Sequence, residues 1–255
     1  MTDSILDLPG SSSPRSEPLA DVGAVLLREE LSARDRDAMF VLFNAYFAGV
    51  TRAVFERDLD EKEWVIVLRD ARGAIDGFST LMRFEHEGRT IFFSGDTIVA
   101  EERRGTPELS RLWVNHVRAA ARRTDGEVYW FLISSGYRTY RFLPVFFREF
   151  HPRFDRHSPE LAALLDGIAT RRFGEAYDRA TGIVRLANPS PLRAPHPDPL
   201  PWREGARRVG EGRPHDPHVR FFLAANPGHA RGDELACLVR VAEDNLTPAG
   251  ARMLR

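Results

Sequence analysis

The sequence predicts an α/β (α+β) fold, with a mixed, mainly antiparallel central sheet flanked by helices. Three observations carry that expectation. Three strand patterns follow one another over residues 64–100 with only short turns between them, which favours an antiparallel meander. An amphipathic helix pattern opens near Thr106, with Leu109, Leu112, Trp113, Val117 and Ala120 on one face. The run from Glu127 to Ser134 is so apolar that its strand is expected to be covered on both faces.

The elements follow in order along the 255 residues. Residues 1–20 are rich in Ser, Pro and Gly without periodicity and are expected to form a disordered leader. Val22 to Leu27 reads as a first strand. Ser32 followed by Asp35 has the form of a capping box, and Met39, Leu42, Phe43, Tyr46 and Phe47 recur at helical spacing up to Gly49. A second helix is expected over Arg52 to Lys62. Strands are expected at Trp64 to Arg69, Ile75 to Glu87 and Thr90 to Ala100, with turns at Arg72-Gly73 and Glu87-Gly88.

Thr106, Pro107 and Glu108 together predict a helix start by capping, a preset φ and a favourable charge at the positive helix end. That helix runs to about Arg123. The apolar strand follows, then a helix from near Tyr137 and another over Pro159 to Phe173. From about 188 to 217 prolines crowd the chain and exclude regular structure, so an inserted surface loop is expected. Val219 to Ala225 and Glu234 to Val241 read as two closing strands, and a short last helix is expected at Thr247-Pro248. The domain reading is therefore a core over residues 21–187, an insertion over 188–217 and a return to the same domain over 218–255.

Composition removes several function classes. The formal net charge is -1, which gives no field for nucleic acid or an anionic membrane. Among the 36 basic residues only Lys62 is a lysine. Cys237 is the single cysteine, so no internal disulfide is available, and its apolar neighbours predict a buried thiol. Asp3, Asp7 and Pro9 interrupt any secretory pattern, and no apolar run is long enough to span a bilayer, so a cytoplasmic protein is expected. His196, His215 and His218 lack the spacing of a zinc site, and no metal is expected. There is no Walker loop, Gly-x-Ser-x-Gly elbow, His-Glu-x-x-His or Cys-x-x-Cys motif.

Two motifs bear on function. The turn Val99-Ala100-Glu101-Glu102-Arg103-Arg104-Gly105-Thr106-Pro107 leads from a strand into a helix, whose free N–H groups suit an anion. The second is Ser134-Ser135-Gly136-Tyr137-Arg138-Thr139-Tyr140, between the apolar strand and the aromatic-rich helix that carries Phe142, Phe146 and Phe147. With this order of elements, the chain resembles the GNAT superfamily of N-acyltransferases over roughly residues 22–155 and 216–242.

The resemblance implies a sheet whose central strands splay apart, and a thioester donor held in the gap. It implies that Val99, Arg103, Arg104, Gly105, Thr106 and Ser134 bind the donor, with a backbone amide near Val99 on its carbonyl. It implies that Tyr140, with Tyr137 as the alternate, protonates the leaving thiolate. Asp96, in the strand beside the thioester, is the first candidate for the general base. Pro107 and Leu109 stand where the family's turn has glycines. That departure leaves room for acyl-carrier-protein phosphopantetheine as well as acyl-CoA as donor, as in GNAT-like acyl-homoserine-lactone and N-acyl amino acid synthases or peptide-modifying fatty acyltransferases. The aromatic wall suits a fatty acyl group, and the acceptor is expected to be an amine on a small molecule or peptide. The alternatives are a GNAT-shaped binding module without turnover, and an interaction domain without a cleft.

Overall fold

The computed structural model describes residues 23–103, 106–187, 189–191 and 216–253. The expected leader, most of the expected insertion with His196 and His215, and both Arg104 and Gly105 lie outside the described residues.

The chain enters through β1 (Gly23–Leu27) and passes through α1 (Ala33–Tyr46) and α2 (Arg52–Asp60). Ser32 and Asp35 form the expected capping box: Ser32 Oγ accepts from the Asp35 amide at 3.1 Å and Asp35 Oδ2 accepts from the Ser32 amide at 3.2 Å. The meander β2 (Trp64–Arg69), β3 (Ile75–His86) and β4 (Arg89–Val99) comes next. The β3–β4 turn puts Glu87 and Gly88 at φ of 49° and 72°, the left-handed pair that a two-residue hairpin needs. Then come α3 (Glu108–Ala121), β5 (Val128–Ser134), α4 (Tyr137–Phe146) and α5 (Pro159–Phe173). A short hairpin, β6 (Tyr177–Asp178) and β7 (Ile183–Val184), precedes α6 (Pro217–Ala225), β8 (Glu234–Arg240) and α7 (Pro248–Arg252).

All eight strands join one sheet in the order β1-β2-β3-β4-β5-β8-β7-β6. Every neighbouring pair is antiparallel except β4 and β5, which run parallel. Helices cover both faces. Ile66, Leu81, Phe92, Trp130 and Leu132 pack under α3, α4 and α6. On the other face, Val65, Val67, Phe78 and Ile98 pack under α1 and α2, while Ile91, Phe93 and Phe131 pack under α5.

Strand β4 changes phase midway. Ser79 pairs with Thr97 but Leu81 pairs with Ser94, so β4 carries one extra residue, a bulge at Gly95 and Asp96. Because side chains alternate with a period of two, the bulge lets Ile91, Phe93 and Ile98 share one face despite their mixed parity.

One expected strand is a helix. Val219 to Ala225 reads as a β-rich run, yet Asp216 accepts from the His218 amide at 2.9 Å and Pro217 presets the first helical φ. The helix so started buries Phe222 against Tyr137 and Tyr140. The β6–β7 hairpin was not expected at all; its two-residue strands are too short to leave a pattern. Thr106 is not the cap of α3. Pro107 occupies that position, and the Thr106 hydroxyl donates to the Arg103 carbonyl at 3.0 Å.

Candidate active site

Strands β4 and β5 stay paired only from Thr90 with Val128 to Ser94 with Leu132. Beyond that point β4 remains with β3, and the end of β5 remains with β8. The two strands diverge, and their facing edges line a gap in the middle of the sheet. A cleft of about 430 Å³ runs through this gap. Ser94 to Thr97 of β4 and Ile133 of β5 form its throat, with Leu109 and Trp113 of α3 on one side and Phe43 and Phe55 of α1 and α2 on the other. Phe142 and Phe146 of α4, Phe173 of α5 and Glu234 of β8 complete the walls.

The acidic end of the cleft sits at the β4 bulge. Asp96 faces Asp58 of α2, Lys62 after α2, and Glu234 at the start of β8. Lys62 is buried, with Nζ 2.7 Å from Asp58 Oδ1 and donating to the Asp58 carbonyl at 3.0 Å. Its stem runs beneath the bulge. A Cβ on residue 95 would come within 2.6 Å of Thr80 Oγ1 and 2.8 Å of Lys62 Cε, so the crossing needs glycine. Burial pushes the Asp96 carboxyl up to about 7. The charge of Asp58 pushes the same way, and Lys62 opposes. Burial, then repulsion from Asp96 and Asp58, pushes Glu234 up to about 8. Both carboxyls therefore hold their protons to higher pH than ordinary acidic side chains.

The structure separates the residues singled out by sequence. Asp96 is in the cleft. Tyr140 is fully buried, and its hydroxyl donates to the Pro152 carbonyl at 3.1 Å. Burial raises its proton affinity further, and its ring packs in the core under α6 rather than along the cleft. Tyr137 is likewise buried and donates to Asp216 Oδ2 at 3.0 Å. Arg103 is turned into the protein rather than toward a ligand. Its Nε donates to Asp76 Oδ2 at 2.8 Å and a terminal nitrogen donates to the Arg69 carbonyl at 2.8 Å. Ser134 is buried and donates to the Gly136 carbonyl at 2.6 Å; its neighbour Ser135 is the one that lines the cleft. Val99 ends β4 opposite Gly77, beyond the cleft.

Sequence reasoning did not single out Asp58, Lys62 or Glu234 as site residues. The lone lysine was the available signal for the first two. Glu234 shows none, since a charged residue at a strand start is ordinary.

Tyr140→Phe follows directly. It removes one buried hydrogen bond and is expected to cost about 1 kcal/mol in urea unfolding, while leaving any measured turnover within about twofold, since this hydroxyl does not line the cleft. A rate loss of about tenfold or more with unchanged stability would support its catalytic reading.

The parallel β4–β5 pair that opens into a cleft, set in this order of strands and helices, is the arrangement the sequence resemblance implied. The sheet is mixed and mainly antiparallel, with helices on both faces. No protein-family model matches the sequence, and no curated protein matches it. Solved structures with similar chains include a GNAT family N-acetyltransferase from Escherichia coli in complex with CoA, at 16% identity and TM-score 0.34, over 48% of this chain and 66% of that one. A Trypanosoma brucei acetyltransferase matches at 18% identity and TM-score 0.39, over 54% of this chain and 99% of that one. Glucosamine-6-phosphate N-acetyltransferase from Arabidopsis thaliana matches at 13% identity and TM-score 0.38, over 53% of this chain and 98% of that one. Among the described residues no helix is long and apolar enough to cross a membrane, and no cluster of side chains is suited to a metal ion.

Proposed function

We propose that the chain is an N-acyltransferase, moving an acyl group from a thioester donor to a primary amine of a small molecule or peptide. One observation carries the reading: the gap between β4 and β5 opens into a cleft that is acidic at one end and apolar along its walls. The gap exposes strand-edge peptide groups to an extended donor arm that itself carries amides. An ammonium acceptor is drawn to Asp96 and Glu234, and Asp96 in its ionised form removes the proton that blocks attack. The amine nitrogen then bonds to the thioester carbonyl carbon. Asp96 releases that first proton to solvent and takes the second from the tetrahedral adduct, the C–S bond breaks, and the thiolate leaves to be protonated by solvent.

Phe43, Phe47, Phe142 and Phe146 along the cleft favour a fatty acyl group. The donor is acyl-CoA or the phosphopantetheine of an acyl carrier protein. The second is favoured by the withdrawal of Arg103 and by Pro107 at the start of α3, which remove a cation and an amide that a diphosphate would use. The withdrawal of Tyr140 favours one alternative, a ligand-binding module without turnover.

A single assay separates them. The protein is mixed with acyl-CoA and acyl-carrier-protein thioesters of graded chain length and a panel of amines, and free thiol and melting temperature are followed. Thiol release that depends on both partners is expected. A raised melting temperature without thiol supports the binding module. Neither response overturns both.

A further inference from the structure

A second cavity, of about 260 Å³, lies farther along α3 toward its C-terminal end, walled by Ala121, Val241 and Leu246 and margined by Arg118 and Arg122, which both donate to Glu243 Oε1. It shares three lining residues with the main cleft: Trp113, Val114 and Phe147. Those three residues border both spaces.

Trp113 is the largest of the three side chains. Its ring lies against Trp130, with centroids 4.2 Å apart, and is almost wholly buried. The two indoles differ in one respect. Trp130 Nε1 donates to Ser94 Oγ at 2.8 Å, whereas Trp113 Nε1 is buried with no hydrogen-bond partner among the described residues. A buried donor without an acceptor is a cost that Phe or Leu at the same site would not carry. What the position gains from tryptophan is therefore the size of the ring.

Resting on the acyltransferase reading, we infer that Trp113 limits the length of acyl chain the cleft accepts, by closing it off from the apolar cavity beyond. The chain enters past Ser94 and Ile133, runs between α3 and α4, and meets the indole. With a smaller side chain there, the two spaces join, and the distal methylenes of a longer chain gain an apolar wall already formed by Val241 and Leu246.

The test is equilibrium binding of octanoyl- and tetradecanoyl-coenzyme A, and of the same chains on an acyl carrier protein, to the wild type, Trp113→Leu and the milder Trp113→Phe. Each variant's fold is first checked by thermal melting. In Trp113→Leu the tetradecanoyl thioester is expected to bind about tenfold more tightly than in the wild type, with octanoyl binding within about threefold. Trp113→Phe should show a smaller gain in the same sense. Adding Ala121→Phe, which fills the second cavity, should cancel the gain. Equal changes for both chains, or none, in either folded variant overturn the inference while leaving acyl transfer standing. Folded wild type and variants that bind no thioester of either length overturn acyl transfer, and this inference with it.

Discussion

Asp96→Asn is expected to lower kcat/KM for amine acylation by about 10²–10⁴-fold, the usual worth of a positioned base. It should also erase the rise in rate through about pH 7. The direction follows from the carboxyl's state. Burial, reinforced by Asp58, holds the group protonated up to about pH 7, so the basic form accumulates only above that point. The wild-type rate should climb as pH rises through about 7 and the variant's should not. Stability moves the opposite way. Between the ordinary aspartate range near 4 and about 7, the folded protein holds a proton that the unfolded chain has released, so this group's contribution is fully present at acid pH and lost as pH rises through about 7. Asparagine removes that slope. It also removes the charge that repels Glu234, whose proton affinity should fall toward the ordinary range. Rates and melting temperatures from about pH 5 to about pH 9 check all three. An unchanged rate profile in the variant would remove Asp96 from the chemistry.

Arg103→Ala is expected to destabilise the fold by about 3–5 kcal/mol, the range for stripping one partner from a buried ion pair, with little change in donor affinity. Arg103 is almost wholly enclosed, and its guanidinium ties the turn after β4 to Asp76 of β3 and to the carbonyl of Arg69 at the end of β2. Removing it leaves Asp76 as a partly buried carboxylate without this counter-charge. Urea unfolding reads the first effect and donor titration the second. An arginine that gripped the donor would give the reverse: unchanged unfolding and about tenfold weaker binding.

The fold was legible where local chemistry and tertiary packing agree. Ser32 with Asp35, Glu87-Gly88 and Thr247-Pro248 are short-range signals whose geometry the structure realises. Val219 to Ala225 misled because its composition suits a strand; the cap that decides the matter, Asp216-Pro217, lies at the margin of the proline-crowded stretch. In the site, Asp96 was singled out from its strand, which the resemblance places beside the thioester, and it lines the cleft. The surroundings of Tyr140 were not legible, because helical spacing says where a ring sits along α4 but not whether its hydroxyl meets solvent or the Pro152 carbonyl. Glu234 could not be read either. Its place opposite Asp96 depends on β8 adding to the far side of β5, a pairing between residues about a hundred positions apart.

The lone lysine has a chemical implication. Activated thioesters acylate exposed side-chain amines without any catalyst. Lys62 is the one side-chain amine in the whole chain, and it is sealed against Asp58 beneath the bulge. With the proposed thioester donor in the cleft, no ε-amino group of the protein's own would be left in reach. Its many surface cations are guanidinium groups, far poorer nucleophiles because they stay protonated.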